Sequence, residues 1–223
     1  MAPALQYTAH RAPAPRFPTE FRARFRELLR WRRDVRHFRT EPLPVGLVDE
    51  LLDLACLAPS VGNAQPWRFV TVDAPENRAA IIANFEAANR EALTGYRGER
   101  AQLYAGLKLA GLREAPRHFA VFCDTMPEQG QGLGRRSMPE TLLYSTVLAI
   151  HTLWLAARIH GIGLGWVSII DPEAATATLD VPETWHFVAY LCLGWPVEEH
   201  DTPELERTGW QARAELCRQV LSR

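Results

Sequence analysis

The sequence predicts a single-domain α+β fold. Segments with apolar residues at helical spacing outnumber short β-rich runs, and the two kinds do not alternate strictly, which argues against a doubly wound parallel sheet. One long stretch, Pro139–His160, is apolar on nearly every face. The chain of 223 residues, 47% apolar and 23% charged, is large enough to bury its own core and has no internal repeat or second-domain boundary.

Each element has its own signal. Residues Met1–Pro18 are rich in Ala and Pro and lack a continuous apolar run, so they read as a flexible arm before one domain spanning residues 19–223. Phe21, Phe25, Leu28 and Leu29 mark a helix from Thr19 to about Trp31, with Thr19 as N-cap. Glu41–Pro44 breaks the chain. Leu47, Leu51, Leu54, Ala55 and Ala58 mark a second helix, stopped by Pro59. Trp67–Val72 is a strand and Pro75–Arg90 a helix. Thr94–Gly98 is a polar loop, after which helix resumes over Glu99–Glu114. Phe119–Cys123 is a buried strand. Thr125–Ser137, with Gly130, Gly132 and Gly134, has the length and composition of a lid, as does Thr94–Gly98 on a smaller scale.

Pro139–His160 is the longest helix. A helix apolar all round must be covered on all sides, and in a chain of this size that points to a second subunit. The uncharged part, Thr141–Ala157, is short for a membrane span, which takes about 20 mostly apolar residues. Leu164–Ile170 and His186–Trp195 are strands, and Asp171-Pro172 opens a short helix between them. From Glu198 to Leu216 the chain is polar, as a segment wrapping a partner would be.

Composition excludes several classes. The net charge of −1 provides no basic field for nucleic acid or an anionic membrane. Cys56, Cys123, Cys192 and Cys217 form no C-x-x-C pair and read as reduced thiols in a cytoplasmic protein. The seven histidines lack zinc-site spacing. Gly161-x-Gly163-x-Gly165 and Gly130-x-Gly132-x-Gly134 have the wrong spacing for a dinucleotide fingerprint.

Two segments carry chemistry. Eight arginines crowd residues 22–39, while Lys108 is the only lysine. Arg32-Arg33-Asp34-Val35-Arg36 places guanidinium groups at a helix end, either to fork around a phosphate or as a solvated basic end. Pro59-Ser60-Val61-Gly62-Asn63-Ala64-Gln65-Pro66-Trp67 is either a rigid polar loop suited to the edge of a heteroaromatic ring or a connecting loop with local caps.

Together the two resemble the FMN-dependent nitroreductase family, whose pattern is R-x-S-x-R/K followed by P-S-x-x-N-x-Q-P-W; here Asp34 replaces the serine. Residues 32–38, 136–141, 163–169 and 191–196 are similar to the 5,6-dimethylbenzimidazole synthase branch of that family. The resemblance covers about Phe21–Arg213. It implies a nitroreductase-like three-layer sandwich, with a central mixed, mostly antiparallel sheet flanked by helices, in a homodimer. It implies reduced FMN as substrate, fragmented with O2 to 5,6-dimethylbenzimidazole and erythrose 4-phosphate. NAD(P)H would act only indirectly, through a separate flavin reductase. Arg32, Arg33, Asp34, Val35 and Arg36 would bind the phosphate and ribityl region. Ser60 and Asn63 would line the ring, from the same or the partner subunit. Lys108, Gly165 and Ser168 would approach the flavin, and Asp34 and Ser168 would be catalytic. The alternatives are a conventional NAD(P)H-dependent nitroreductase, a flavin or cob(II)yrinate reductase, and a non-catalytic flavin carrier.

Overall fold

The computed structural model describes residues 14–215 and 218–223. The expectations for residues 1–13, Leu216 and Cys217 lie outside the described residues; residues 14–18 are exposed and irregular.

Four strands form one sheet: β1 (Trp67–Thr71), β2 (Arg117–Asp124), β3 (Gly163–Val167) and β4 (Trp185–Gly194), in the order β1-β2-β4-β3 with every pair antiparallel. Asp34 bridges Leu164 in parallel and Phe38 bridges Pro196 in antiparallel, so the segment after the first helix lies along the β3 edge through isolated bridges. Along β2, residues His118–Cys123 are all buried, as expected of a strand covered on both faces. Its side chains divide by alternation. Phe119 and Val121 join Leu51, Ile150, Leu153 and Leu191, whereas Ala120 and Phe122 join Phe38, Ile81, Ala175 and Tyr190. The result is three layers: α2 (Leu47–Ala55) and α5 (Thr141–Ile159), the sheet, then α3 (Pro75–Thr94) and α6 (Pro172–Leu179).

Most elements lie where hydrophobic spacing predicts, although α3 runs on past Arg90 to Thr94 and, at 20 residues, is longer than α5 at 19, the stretch whose sequence predicts the longest helix. Three further corrections concern helix ends. First, Pro18, not Thr19, is the N-cap of α1 (Thr19–Trp31); its extended backbone, at φ −68° and ψ 167°, suits a ring-locked residue. Second, α2 ends at Ala55, and the chain tightens to Ala58 through Leu57 N–H to Leu54 O and Ala58 N–H to Ala55 O bonds. Third, α4 spans only Gly98–Ala105 and not the stretch to Glu114. Gly106 caps the helix, its N–H returning to the Gln102 and Leu103 carbonyls at 3.2 Å, and the chain beyond it is held by tertiary contact. Gly111 lies so close to the Phe38 ring and the Arg36 carbonyl that a Cβ would collide with both, and a continued helix could not lay its bare backbone there. By contrast, α6 starts as expected: Asp171 accepts the Glu173 and Ala174 N–H groups at 2.9 and 3.2 Å.

α5 packs inward through Leu142, Ser145, Ala149, Ile150, Leu153 and Ala157, but Tyr144, Val147 and Leu148 are exposed. α1 buries no residue, and Phe21, Phe25 and Leu29 form an uncovered stripe at four-residue spacing.

Candidate active site

The arginine motif leaves α1 as an extended strip against β3. Val35 N–H donates to Leu164 O at 3.0 Å. The approach requires glycine: a Cβ on Gly165 would collide with the Val35 carbonyl oxygen, and one on Gly163 would press against the Val35 side chain at 2.9 Å. Gly165 therefore shapes the backbone beneath the motif.

Asp34 closes a small network. Its Oδ1 accepts the Trp166 N–H at 2.8 Å and its Oδ2 accepts the Arg36 Nε–H at 2.8 Å. Burial pushes the Asp34 carboxyl pKa up, opposed by Arg36 and by the Trp166 amide. Arg36, with a side chain 13% exposed, also donates to the Lys108 carbonyl at 3.3 Å. Lys108 thus meets the motif through its backbone, while its ammonium pairs with Glu114 at 2.7 Å.

The neighbouring arginines are held differently. Arg32 lies over the Trp154 ring at 4.6 Å. Arg33 donates from Nε to the Asp201 carbonyl at 2.9 Å and from Nη1 to the Arg32 carbonyl at 2.9 Å, so much of its guanidinium ties down the segment around residue 201. The indole N–H of Trp154 holds the Arg33 carbonyl at 3.2 Å.

Arg32, Arg33, Asp34, Arg36 and Glu204 line one cleft of about 300 Å³, and Arg213 joins them. Burial lowers the pKa of Arg32, opposed by Asp34 and aided by repulsion from Arg213; burial also lowers that of Arg33, aided by Arg32 and Arg213 and opposed by Asp201. Crowded, partly desolvated cations of this kind fit an anion. Sequence reasoning missed Arg213, which lies in a polar C-terminal run with no motif of its own. Its neighbour Trp210 was the available signal, an aromatic residue where a solvated tail needs none.

Ser60 and Asn63 lie elsewhere. Ser60 Oγ accepts Gln65 N–H at 3.0 Å, and the Asn63 carbonyl accepts from Gln129 Nε2 at 2.7 Å. Val61 N–H reaches Ser145 Oγ on α5 at 3.1 Å. Ser145 and Trp154 are two and a half turns apart on α5, about 13–14 Å, which separates this loop from the arginine cleft. Asn63 instead shares a shallow cleft with the 129–137 loop. Ser168 is exposed immediately beyond β3, not on the strand as its β-rich run suggested, because pairing with β4 stops at Val167. Among the described residues no group of three or more His, Cys, Asp or Glu could hold a metal.

Comparison with known proteins identifies the family. Residues 29–195 match the family model described as "Nitroreductase family". A 5,6-dimethylbenzimidazole synthase of Rhodospirillum rubrum is 58% identical over 199 residues, which is 89% of this chain and 94% of the relative. One of Rhodobacter capsulatus is 54% identical over 185 residues, 83% and 89% of the two chains. Among solved structures, iodotyrosine deiodinase bound to FMN and 3-iodo-L-tyrosine superposes with a TM-score of 0.70 at 23% identity, covering 88% of this chain and 98% of that one. This chain belongs to the nitroreductase family, on the branch that its 5,6-dimethylbenzimidazole synthase relatives occupy.

Proposed function

We propose that this enzyme fragments reduced FMN with O2 to 5,6-dimethylbenzimidazole and erythrose 4-phosphate, the remaining pyrimidine portion of the isoalloxazine leaving as a separate fragment. The observation that carries this reading is Asp34: where the wider family pattern has a neutral hydroxyl, a partly buried carboxylate is fixed between the Trp166 amide and Arg36 in an arginine-lined cleft. For anion binding alone a carboxylate there is a disadvantage.

The donor set fits FMN. Arg32, Arg36 and Arg213, with Arg33 behind them, would hold the phosphate. Ser60 and Asn63 present polar groups suited to the edge of the ring. Reduced FMN supplies the carbon skeleton of the product and the electrons that O2 accepts. The protein holds the phosphate, keeps Asp34 able to take or give a proton, and excludes water with the segments at 94–98 and 125–137 as lids.

The separation of Ser60 and Asn63 from the arginine cleft supports a homodimer in which one subunit supplies the phosphate site and the other the ring loop. The exposed α5 face of Tyr144, Val147 and Leu148 is the surface for that contact. A separate flavin reductase would provide reduced FMN in the cytoplasm.

The test binds reduced FMN anaerobically, admits air, and separates the products by chromatography. Irreversible bleaching with release of 5,6-dimethylbenzimidazole is expected. Return of yellow FMN with hydrogen peroxide indicates a reductase-type site, and behaviour equal to free flavin indicates a carrier.

A further inference from the structure

The C-terminal arginine of the cleft is delivered by a tight turn and an aromatic slot. α7 (Glu204–Arg207) ends in a paired-bond turn: Gly209 N–H donates to Glu206 O at 3.1 Å and Trp210 N–H to Leu205 O at 2.8 Å. Gly209 has φ +76°, a left-handed conformation that glycine adopts without strain. The reversal sends the Trp210 ring onto the turn between α3 and α4. There it meets Tyr96 edge-on at 5.3 Å and Tyr104 at 5.9 Å, with the Arg100 guanidinium 4.1 Å from its centroid. The slot itself is firm. Tyr96 stacks on Tyr104 at 4.8 Å, and the buried Tyr104 donates its hydroxyl to Asn89 Oδ1 at 2.7 Å.

Three residues later Arg213 lines the cleft with Arg32, Arg33 and Arg36. Gln211 is the last residue, among those described, whose N–H returns to α7, at 3.1 Å from Leu205 O. Three extended residues span at most about 10–11 Å. Of the aromatic side chains, the indole is the one seated against another element closest before Arg213.

We propose that Trp210 is a positioning residue for phosphate recognition: the slot formed by Tyr96, Tyr104 and Arg100 holds it so that Arg213 stays in the anion cleft. This rests on the reading that the cleft takes the phosphate of FMN. It also ties the α3–α4 turn to that phosphate, because the residues that seat Trp210 belong to the turn and to α4.

The test measures binding of FMN and of riboflavin, which lacks the phosphate, to the full chain and to Trp210→Ala, Trp210→Phe, Arg213→Ala and the double variant Trp210→Ala/Arg213→Ala. Arg213→Ala should weaken FMN roughly 10-fold or more, the loss of one charged hydrogen bond, with riboflavin changed less than about 2-fold. Trp210→Ala should show the same selectivity, Trp210→Phe should restore most of the affinity, and the double variant should bind FMN no more weakly than Arg213→Ala alone. A purely structural role for Trp210 would weaken both flavins alike. Equal losses for both flavins in Trp210→Ala, or losses that add in the double variant, overturn the proposal while leaving the phosphate site intact. An Arg213→Ala protein without selectivity overturns the placement of the phosphate, and the proposal with it. Should Trp210→Ala not fold, Gly209→Ala strains only the turn, and the same FMN-selective loss is required of it.

Discussion

Asp34 and Arg36 are bound to each other across a single intervening residue, the Asp34 Oδ2 accepting the Arg36 Nε–H at 2.8 Å. The pair is partly buried and sits on the β3 edge, because Asp34 Oδ1 takes the Trp166 amide. Arg36 thus has two tasks, neutralising a carboxylate and lining the cleft, where Nη2 is left for a ligand because Nη1 donates to the Lys108 carbonyl, whereas Arg32 is stacked on Trp154.

This difference separates two substitutions. Both Arg32→Ala and Arg36→Ala should weaken FMN more than riboflavin, by roughly 10- to 150-fold for a lost charged hydrogen bond. Arg36→Ala should also lower stability, because removing one partner of a buried pair costs about 3–5 kcal/mol, an upper bound for this partly exposed one. Binding titrations with both flavins and thermal melts check this. Equal weakening of both flavins by Arg36→Ala would show that Arg36 does not reach the phosphate.

Gly165→Ala should disrupt the motif without touching its side chains. The new Cβ would collide with the Val35 carbonyl oxygen, and backbone has no rotamer with which to yield. Overpacking of this kind costs about 1–3 kcal/mol or more, and each kcal/mol lowers the melting temperature of a chain this size by about 2–4 °C. A melt indistinguishable from the parent would mean that the Val35 strip moves freely off β3.

The buried pair His118 and Tyr190 predicts acid sensitivity. The His118 ring bonds the Tyr190 hydroxyl at 2.9 Å and the Ala115 carbonyl at 3.2 Å, and burial, aided by Arg78, pushes its pKa down to about 4. The unfolded chain has an ordinary histidine near 6.5, so it binds the proton more readily than the native state does. This contribution is fully present above about pH 6.5, is lost as the pH falls toward 4, and amounts to about 3 kcal/mol. Urea melts from pH 7 to 4 should show a smaller loss in His118→Leu/Tyr190→Phe than in the parent. Parallel curves would show that His118 titrates normally.

The sequence made local features legible and long-range ones not. β1 and α5 follow from patterns within a few turns, and the arginine motif is contiguous. Leu103, Leu107 and Ala110 look helical, yet α4 stops at Ala105 with Gly106 as its cap, and the chain beyond runs to Gly111 against Phe38, a contact made only after folding. Asp34 stood out as a substitution in a motif, but one of its partners is the Trp166 main-chain N–H, which no residue identity could disclose. Arg213 reaches the cleft from the far end of the chain for the same reason.

The uncovered face of α5 predicts that the protein is a dimer in solution. Tyr144, Val147 and Leu148 are 54%, 40% and 44% exposed, on a helix otherwise built for a core. Light scattering should give twice the chain mass, and Val147→Arg/Leu148→Glu should yield monomers that have lost FMN binding. A parent monomer that binds FMN would remove the argument for a shared site.

Asp34 offers the sharpest test of the chemistry. Asparagine keeps the shape and can still accept the Trp166 N–H, but its amide then faces the Arg36 Nε–H with a donor. That lost acceptor costs about 1–3 kcal/mol of stability. It also frees Arg36 of its counter-charge, so Asp34→Asn should bind reduced FMN at least as tightly as the parent. If the carboxylate moves a proton during ring cleavage, as its raised pKa and its place in the cleft suit it to do, the variant should still react with O2 but return oxidised FMN and hydrogen peroxide. Product should fall by at least about 100-fold, the lower range for a general base. Ser168→Gly, at the exposed end of β3, should act in the same direction. Anaerobic titration followed by aeration and chromatography reads both quantities on one sample. Should Asp34→Asn form 5,6-dimethylbenzimidazole near the parent rate, the carboxylate serves only to hold Arg36 and the Trp166 amide, and the proton must be handled by another group.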